Sequence, residues 1–315
     1  MQITAGMVKE LREQTQAGMM DCKKALVEAE GNMEKAVDIL REKGLSKAAK
    51  KAGRIAAEGL VSLVVSDDKK HGAIVEINSE TDFVAKNEEF KNFVSAAAEL
   101  ALRAKPADLA AFKASELENG KSLEVVLNEK ISKIGENMTI RRFAVESQED
   151  GTVVGYVHGA GKIAVLVNLA SSSDSEKLQE LGKDIAMQVA SMNPKYISSD
   201  DVDQEYIAHE KEILMAQAIN ENEEDAAAKG KKKKPMEIIE KMVIGRLNKE
   251  LKEVCLLEQP FVKDSDLTVG QVVKNVAKEV GAEIVVKSTV RFEVGEGLEK
   301  KEENFAEEVA KQMGN

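Results

Sequence analysis

The strongest constraint on what this chain can fold into is an internal duplication. The run GLVSLVV (59–65), a turn, GAIVEIN (72–78) and a helical stretch recur about ninety positions later as GTVVGYV, a turn, KIAVLVNLA and a second helical stretch. Ala73-Ile74-Val75 and Ala164-Val165-Leu166 read as equivalent strand residues. Apolar runs of this length bounded by turn residues are strands, and Asp67-Asp68-Lys69-Lys70 supplies the first hairpin turn. The helical stretches run from Phe83 to Arg103 and from Ser175 to Ser191. Each block closes with a similar strand, Thr139 to Val145 and Thr289 to Val294. The expected fold class is therefore α+β, a duplicated core of small antiparallel sheets with helices on one face.

The flanks are helical. Residues 4–43 carry three short patterns, with Val8 and Leu11, then Ala25, Leu26 and Ala29, then Val37, Ile39 and Leu40 as their apolar positions. Gly18 follows the first, Gly31-Asn32 separates the next two, and Gly44 suits the end of the third. Ser46 to Ala57 is Ala-rich and basic, a solvated linker. Within the second copy, Val202, Tyr206, His209, Ile213 and Ala216 form one stripe and Met236, Ile239, Val243, Leu247, Leu251 and Val254 another, the seam of a helical hairpin. The acid run Glu221 to Asp225 and the basic run Lys231 to Lys234 read as its hydrated tip. The expected division is a three-helix module (1–44), linker (45–58), first repeat (59–147), second repeat (148–200 and 255–298), hairpin insertion (201–254) and C-terminal helix (299–315).

Charge and motif content narrow the function. With 45 basic and 56 acidic residues the net charge is −11, which disfavours a nucleic-acid-coated protein. RNA contact through the basic linker or Lys231 to Lys234 is accordingly disfavoured. No apolar segment is long enough for a bilayer span and no signal-peptide core opens the chain, so a cytoplasmic location and no membrane partner are expected. Cys22 and Cys255 fall at apolar helical positions and read as buried small side chains. His71, His158 and His209 have no neighbours at metal-ligand spacing, so neither a metal nor another cofactor is expected. Gly159-Ala160-Gly161-Lys162-Ile163-Ala164 matches GxGxxA, but a strand follows it where phosphate binding needs a helix N-terminus. There is no GxxxxGK[ST] loop, and direct nucleotide binding is not expected. Partner binding, not catalysis, is the remaining class.

One segment stands out, Asn78-Ser79-Glu80-Thr81-Asp82-Phe83-Val84-Ala85-Lys86-Asn87-Glu88, at the strand-to-helix corner of the first copy. Thr81 or Asp82 can cap the helix. Phe83 sits in the first turn among polar neighbours, either as a contact stabilising the helix start or as an aromatic wedge for a partner. The second copy has Ser171-Ser172-Ser173-Asp174 at this corner, so the fold does not require the aromatic.

Five segments together resemble the bacterial elongation factor Ts family: LREQTQAGMMDCKKAL (11–26), INSETDFVAKNEEF (77–90), YVHGAGKIAVLV (156–167), IIEKMVIGRL (238–247) and TVRFEVGEGLEK (289–300). The resemblance implies a non-enzymatic guanine-nucleotide exchange factor of the GTPase elongation factor Tu. It implies a ubiquitin-associated-like first module, with Arg12, Met19 and Met20 as its contact surface. It further implies that Thr81, Asp82, Phe83 and Val84 push into the GTPase near its magnesium and phosphates, and that His158 enters an apolar pocket there. A homodimer is compatible with all of this. Gln16 departs from the glycine common in the family, and the connection 220–235 is longer than in many members.

Overall fold

The computed structural model describes residues 3–15, 17–229 and 232–299. Gln16, Lys231 and all but the first residue of the C-terminal helix expected over 299–315 lie outside them. Three helices open the chain, α1 (Ala5–Thr15), α2 (Met19–Glu28) and α3 (Met33–Ala49). The first copy comprises β1 (Glu58–Val65), β2 (His71–Ser79), α4 (Asp82–Lys86), α5 (Glu88–Ala104), α6 (Leu109–Ala114), the short β3 (Glu116–Glu118) and β4 (Lys121–Ser122), α7 (Leu123–Ile134) and β5 (Met138–Ser147). The second comprises β6 (Gly151–His158), β7 (Ile163–Ala170), α8 (Glu176–Met192), the hairpin α9 (Gln204–Lys229) and α10 (Met236–Val254), β8 (Pro260–Phe261), β9 (Asp264–Thr268), α11 (Val269–Val280) and β10 (Val285–Glu293).

The fold is α+β, and its core is two three-stranded antiparallel sheets, β1-β2-β5 and β10-β7-β6, packed face to face. Ile74, Leu166, Val61, Val153 and Phe292 form the layer between them. Outside, Phe90, Phe93 and Ala97 of α5 cover Ala73, Val75 and Ile77, while Leu181, Ile185 and Val189 of α8 cover Val165, Val167 and Leu169. The central strands are thus buried on both faces, which is why they read as continuous apolar runs.

The two copies superimpose with a register that differs by one residue from the sequence reading. Val165, not Ala164, faces the helices as Ala73 does, so Ile74 corresponds to Leu166. A one-residue slip exchanges the two faces of a strand. With both faces apolar, no polar alternation marked the correct phase. Gly59 and Gly151 fix the register independently. They have φ of +132° and +151°, and a Cβ on either would strike the facing carbonyl, of Ile77 or Leu169. The closing strands agree, since β5 and β10 each carry a bulge at the same place, leaving Arg141 and Lys287 as the extra residues.

Reciprocal straps join the copies. The amide of Val61 donates to the carbonyl of Gly161 at 2.8 Å, and its counterpart Val153 donates to Lys69 at 2.8 Å. Within each copy, Val294 beyond β10 donates to Lys162 at 2.9 Å and its counterpart Gln148 beyond β5 donates to Lys70 at 2.8 Å, each extending its own sheet's ladder to its own hairpin turn. Through the Val61 and Val153 bonds, each hairpin turn satisfies an edge group of the other sheet. A buried carboxylate adds to this. Glu76 is fully buried and accepts from Arg141 Nη1 at 2.9 Å, Arg142 Nε at 2.6 Å and the Gly295 amide at 2.8 Å. Successive strand residues ordinarily point to opposite faces; the bulge lets both arginines address one carboxylate.

Helix boundaries differ from expectation in three places. Helix α3 runs through Gly44 to Ala49, and its last turn sets Ala48 into the first copy's core. The helix expected from Phe83 breaks at Asn87, whose side chain accepts from the Glu89 amide at 2.8 Å and caps α5. In the hairpin, Ile239 and Val243 meet Leu214, Met215, Ala218 and Ile219. Ile213, His209 and Ala216 are exposed, so the α9 stripe lies about one residue from its expected place. Glu221 to Asp225 are helical, and Glu221 pairs with Arg246 of α10 at 2.6 Å.

Burial by itself would raise the pKa of Glu76, but the Gly295 amide, Arg141, Asn78 and Arg142 overcome it and hold the carboxyl below the usual range. Its stabilising contribution is therefore present above the ordinary carboxylate pKa and is lost as pH falls through the folded value, below about pH 4.5. Glu76→Gln should cost about 3 kcal/mol at pH 7, by stranding the two arginines, and should flatten the acid limb of a urea-unfolding series. An unchanged acid limb would remove Glu76 from this role.

Candidate functional site

The corner after β2 is built by local hydrogen bonds. Thr81, with φ −127°, caps α4 by accepting from the Val84 amide at 3.4 Å, and Ser79 Oγ donates to the Thr81 carbonyl at 3.0 Å. Glu136 accepts from both donors of Thr81, the amide at 3.0 Å and the hydroxyl at 2.7 Å. Glu80 accepts from the Asn137 amide at 2.6 Å, and Asn137 Nδ2 donates to the Arg54 carbonyl at 2.8 Å. The corner is therefore tied to the α7–β5 connection and to the linker.

Phe83 sits on this base with 80% of its surface exposed. Its neighbours Val84 and Ala85 are buried in the first copy's core, so the one-turn helix α4 has a core face, and Phe83 lies off it. The structure gives Val84, expected at the contact surface with Phe83, an anchoring position instead. Asp82 is half-buried and pairs with Lys86 at 2.6 Å, while the Lys86 ammonium lies 5.9 Å from the centre of the Phe83 ring. The hydrogen bond from Lys86 holds the Asp82 carboxyl below the usual range, against slight desolvation, and Lys162 adds a weaker pull.

Lys162 places the second copy's hairpin turn at the same end of the sandwich. Its Nζ bonds Glu58 at 2.6 Å, and Glu58 pairs in register with Ser79. His158, at the end of β6, is exposed, with Nδ1 2.9 Å from the Tyr156 hydroxyl; Val157 beside it is also exposed. Gly159 to Lys162 form the turn itself, with positive φ at Gly159, Ala160 and Gly161. The inter-sheet straps thus bring His158 and the Phe83 corner together from distant parts of the chain.

The opposite end of the sandwich carries the pseudo-symmetric counterpart without its chemistry. Ser171, Ser173, Asp174 and Ser175 stand where the first copy has Ser79, Thr81, Asp82 and Phe83. Ser171 Oγ accepts from the Ser173 amide at 3.2 Å and Ser175 caps α8. The corner folds with serine in place of the aromatic.

On the first module, Met19 and Met20 are exposed at the start of α2, and Arg12 is exposed in the last turn of α1. Val27, two turns on from Met20, extends the apolar surface; its spacing on α2 was the sequence signal for it. The module core below is Val8, Leu11, Cys22, Ala25, Leu26 and Ala36. A groove of about 460 Å³ between α3 and α7, lined by Leu45, Ala49, Leu127 and Thr139 among others, touches none of these surface residues. The candidate site is a protruding surface, not a cavity.

Among the described residues, no group of three or more His, Cys, Asp or Glu could hold a metal ion, and no helix is long and apolar enough to cross a membrane. Cys255 is buried, and burial pushes its thiol up to about 11. Several basic residues once open to an RNA reading face acids of this chain, Lys47 at Asp21 (2.8 Å), Arg54 at Glu80 (3.4 Å) and Lys233 at Glu223 (3.1 Å).

Comparison with known proteins gives a consistent family. A family model described as Elongation factor TS matches residues 80–296. The chain is 61% identical over 311 residues to a protein named Elongation factor Ts from Clostridioides difficile strain 630, covering 99% of each. It is 54% identical over 312 residues to the protein of that name from Clostridium perfringens strain SM101, again covering 99% of each. The protein of that name from Clostridium acetobutylicum is 51% identical over 312 residues, which is 99% of this chain and 98% of that one.

Because the Phe83 ring contributes little to the core, Phe83→Ala should change unfolding free energy by less than about 0.5 kcal/mol. Thermal and urea unfolding of the variant check this, and a larger loss would mean that the ring is a structural contact.

Proposed function

Because this chain belongs to the elongation factor Ts family of translation elongation factors, we propose that it binds elongation factor Tu carrying GDP and promotes GDP release by disturbing the GTPase's magnesium and phosphate site. It then stays bound until GTP replaces it. The observation that carries the reading is an aromatic side chain 80% exposed on a corner whose backbone is fixed by hydrogen bonds. Water is a poor environment for such a ring, and a partner pocket is a good one.

In this proposal Phe83 is the wedge and Asp82 alters polar contacts around the GTPase's metal, whose small oxygen shell tolerates little displacement. Thr81 and Val84 support them, Thr81 through Glu136 and Val84 from the core. His158 and Val157 contact the GTPase beside the wedge, and Arg12, Met19 and Met20 supply a second, adaptable contact. The three-helix module (1–44) and the duplicated core act together in binding.

The energetics need no covalent step. If GDP and this factor each distort what the other requires, each weakens the other by the same factor. GDP then leaves through a ternary complex whose barrier to release is lower.

Phe83→Ala should lose about 1–2 kcal/mol of the barrier lowering, about five- to thirtyfold in stimulated release of a fluorescent GDP from purified elongation factor Tu. Undiminished stimulation by the folded variant would refute the wedge. Asp82→Ala should lose less. Met19→Ala combined with Met20→Ala should weaken association at least fivefold while leaving the melting temperature in place, and full affinity in that variant would remove the module from the contact.

A further inference from the structure

Phe83 has almost no contacts of its own to set its direction. The Lys86 ammonium lies 5.9 Å from the ring centre, and both side chains are exposed. Its orientation is therefore inherited from the backbone of Thr81 to Val84. That backbone is held on its core side by Val84 and at its start by Ser79 Oγ on the Thr81 carbonyl and by the Glu136 carboxylate, whose two oxygens each take one donor of Thr81. A bidentate charged acceptor fixes the peptide plane and the hydroxyl rotamer together, which a single hydrogen bond would not.

Glu136 is itself held. It follows Gly135, which ends α7 with φ +93°, and precedes Asn137, which is buried and bonded to both Glu80 and Arg54. The second copy provides an internal control. Gly281 ends α11 in the same left-handed conformation as Gly135, and the register of the closing strands then sets Ala282 where the first copy has Glu136. That copy builds its corner with Ser173 and no clamping carboxylate. The carboxylate and the aromatic occur together in one copy and are both missing from the other, so the clamp is not a requirement of the fold.

We infer that Glu136 is a positioning residue for nucleotide exchange, holding Thr81 so that Phe83 meets the GTPase in one preset direction. The inference rests on the wedge reading above. Without the clamp the corner samples several directions, and part of the binding free energy is spent in ordering it at the moment of contact.

The test is a double-variant cycle on the full chain, reading stimulated GDP release at saturating factor, the concentration giving half that rate, and the melting temperature. Glu136→Ala should lower the saturating rate about fivefold, and Glu136→Gln, which keeps one acceptor, should fall between it and the parent. In a Phe83→Ala background, Glu136→Ala should have less than about twofold further effect, because there is no wedge left to position. An equal loss in both backgrounds would show that Glu136 acts independently of Phe83 and would overturn the inference while leaving the wedge intact. So would an unchanged rate for Glu136→Ala beside an impaired Phe83→Ala. An unimpaired Phe83→Ala would overturn the wedge reading and this inference together. If Glu136→Ala does not fold, the Glu136→Gln cycle decides by the same criteria.

Discussion

The duplicated core depends on the reciprocal use of each hairpin turn to complete the other sheet. Edge strands carry unpaired backbone groups that must be satisfied or covered. Here Gly161 of one turn accepts from Val61 of the first copy's edge strand, and Lys69 of the other accepts from Val153 of the second copy's edge strand. Two three-stranded sheets, each with a helix layer on its outer face, become a four-layer unit whose central strands are buried on both faces. Glu76, with its two arginines and the Gly295 amide, adds a polar constraint that apolar packing alone would not supply, since it specifies one relative placement of the sheets.

The functional surface follows from that arrangement. The straps set each turn beside the other copy's strand-to-helix corner, so the molecule has two geometrically similar ends. One end bears Phe83, Asp82, Val157 and His158; the other bears the Asp67 to Lys70 turn and a serine corner. Pseudo-symmetry thus supplies the same scaffold twice, and side-chain differences at a few positions separate the proposed interaction site from a structural corner. Rigidity is concentrated where the exposed ring needs it, through Thr81, Glu80 and Asn137.

Much of this was legible in the sequence, for identifiable reasons. The duplication, the hairpin turns and the burial of Cys22 and Cys255 follow from periodicity and turn chemistry, and the exposure of Phe83 was one of two readings its polar neighbours allowed. The register was not legible, because Ala73 to Val75 and Ala164 to Val167 are apolar on both faces and carry no phase. The end of α3 was misplaced because packing of Ala48 into the first copy's core carries the helix past Gly44. Val84 was grouped with Phe83 by adjacency, although neighbouring helical residues differ in direction by about 100° and need not share an environment. Glu136 was missed because its partner Thr81 is far away in sequence; only the closing strand brings it to the corner.

The central claim is that a solvent-exposed ring passes into the GTPase when the complex forms. A fluorinated phenylalanine placed at position 83 reports its surroundings directly through the fluorine resonance. The account predicts a resonance with solvent-exposed character in the free factor, a shift on saturation with elongation factor Tu and GDP, and its return when excess GTP releases the factor. A resonance that stays at its free position in the saturated complex would contradict it.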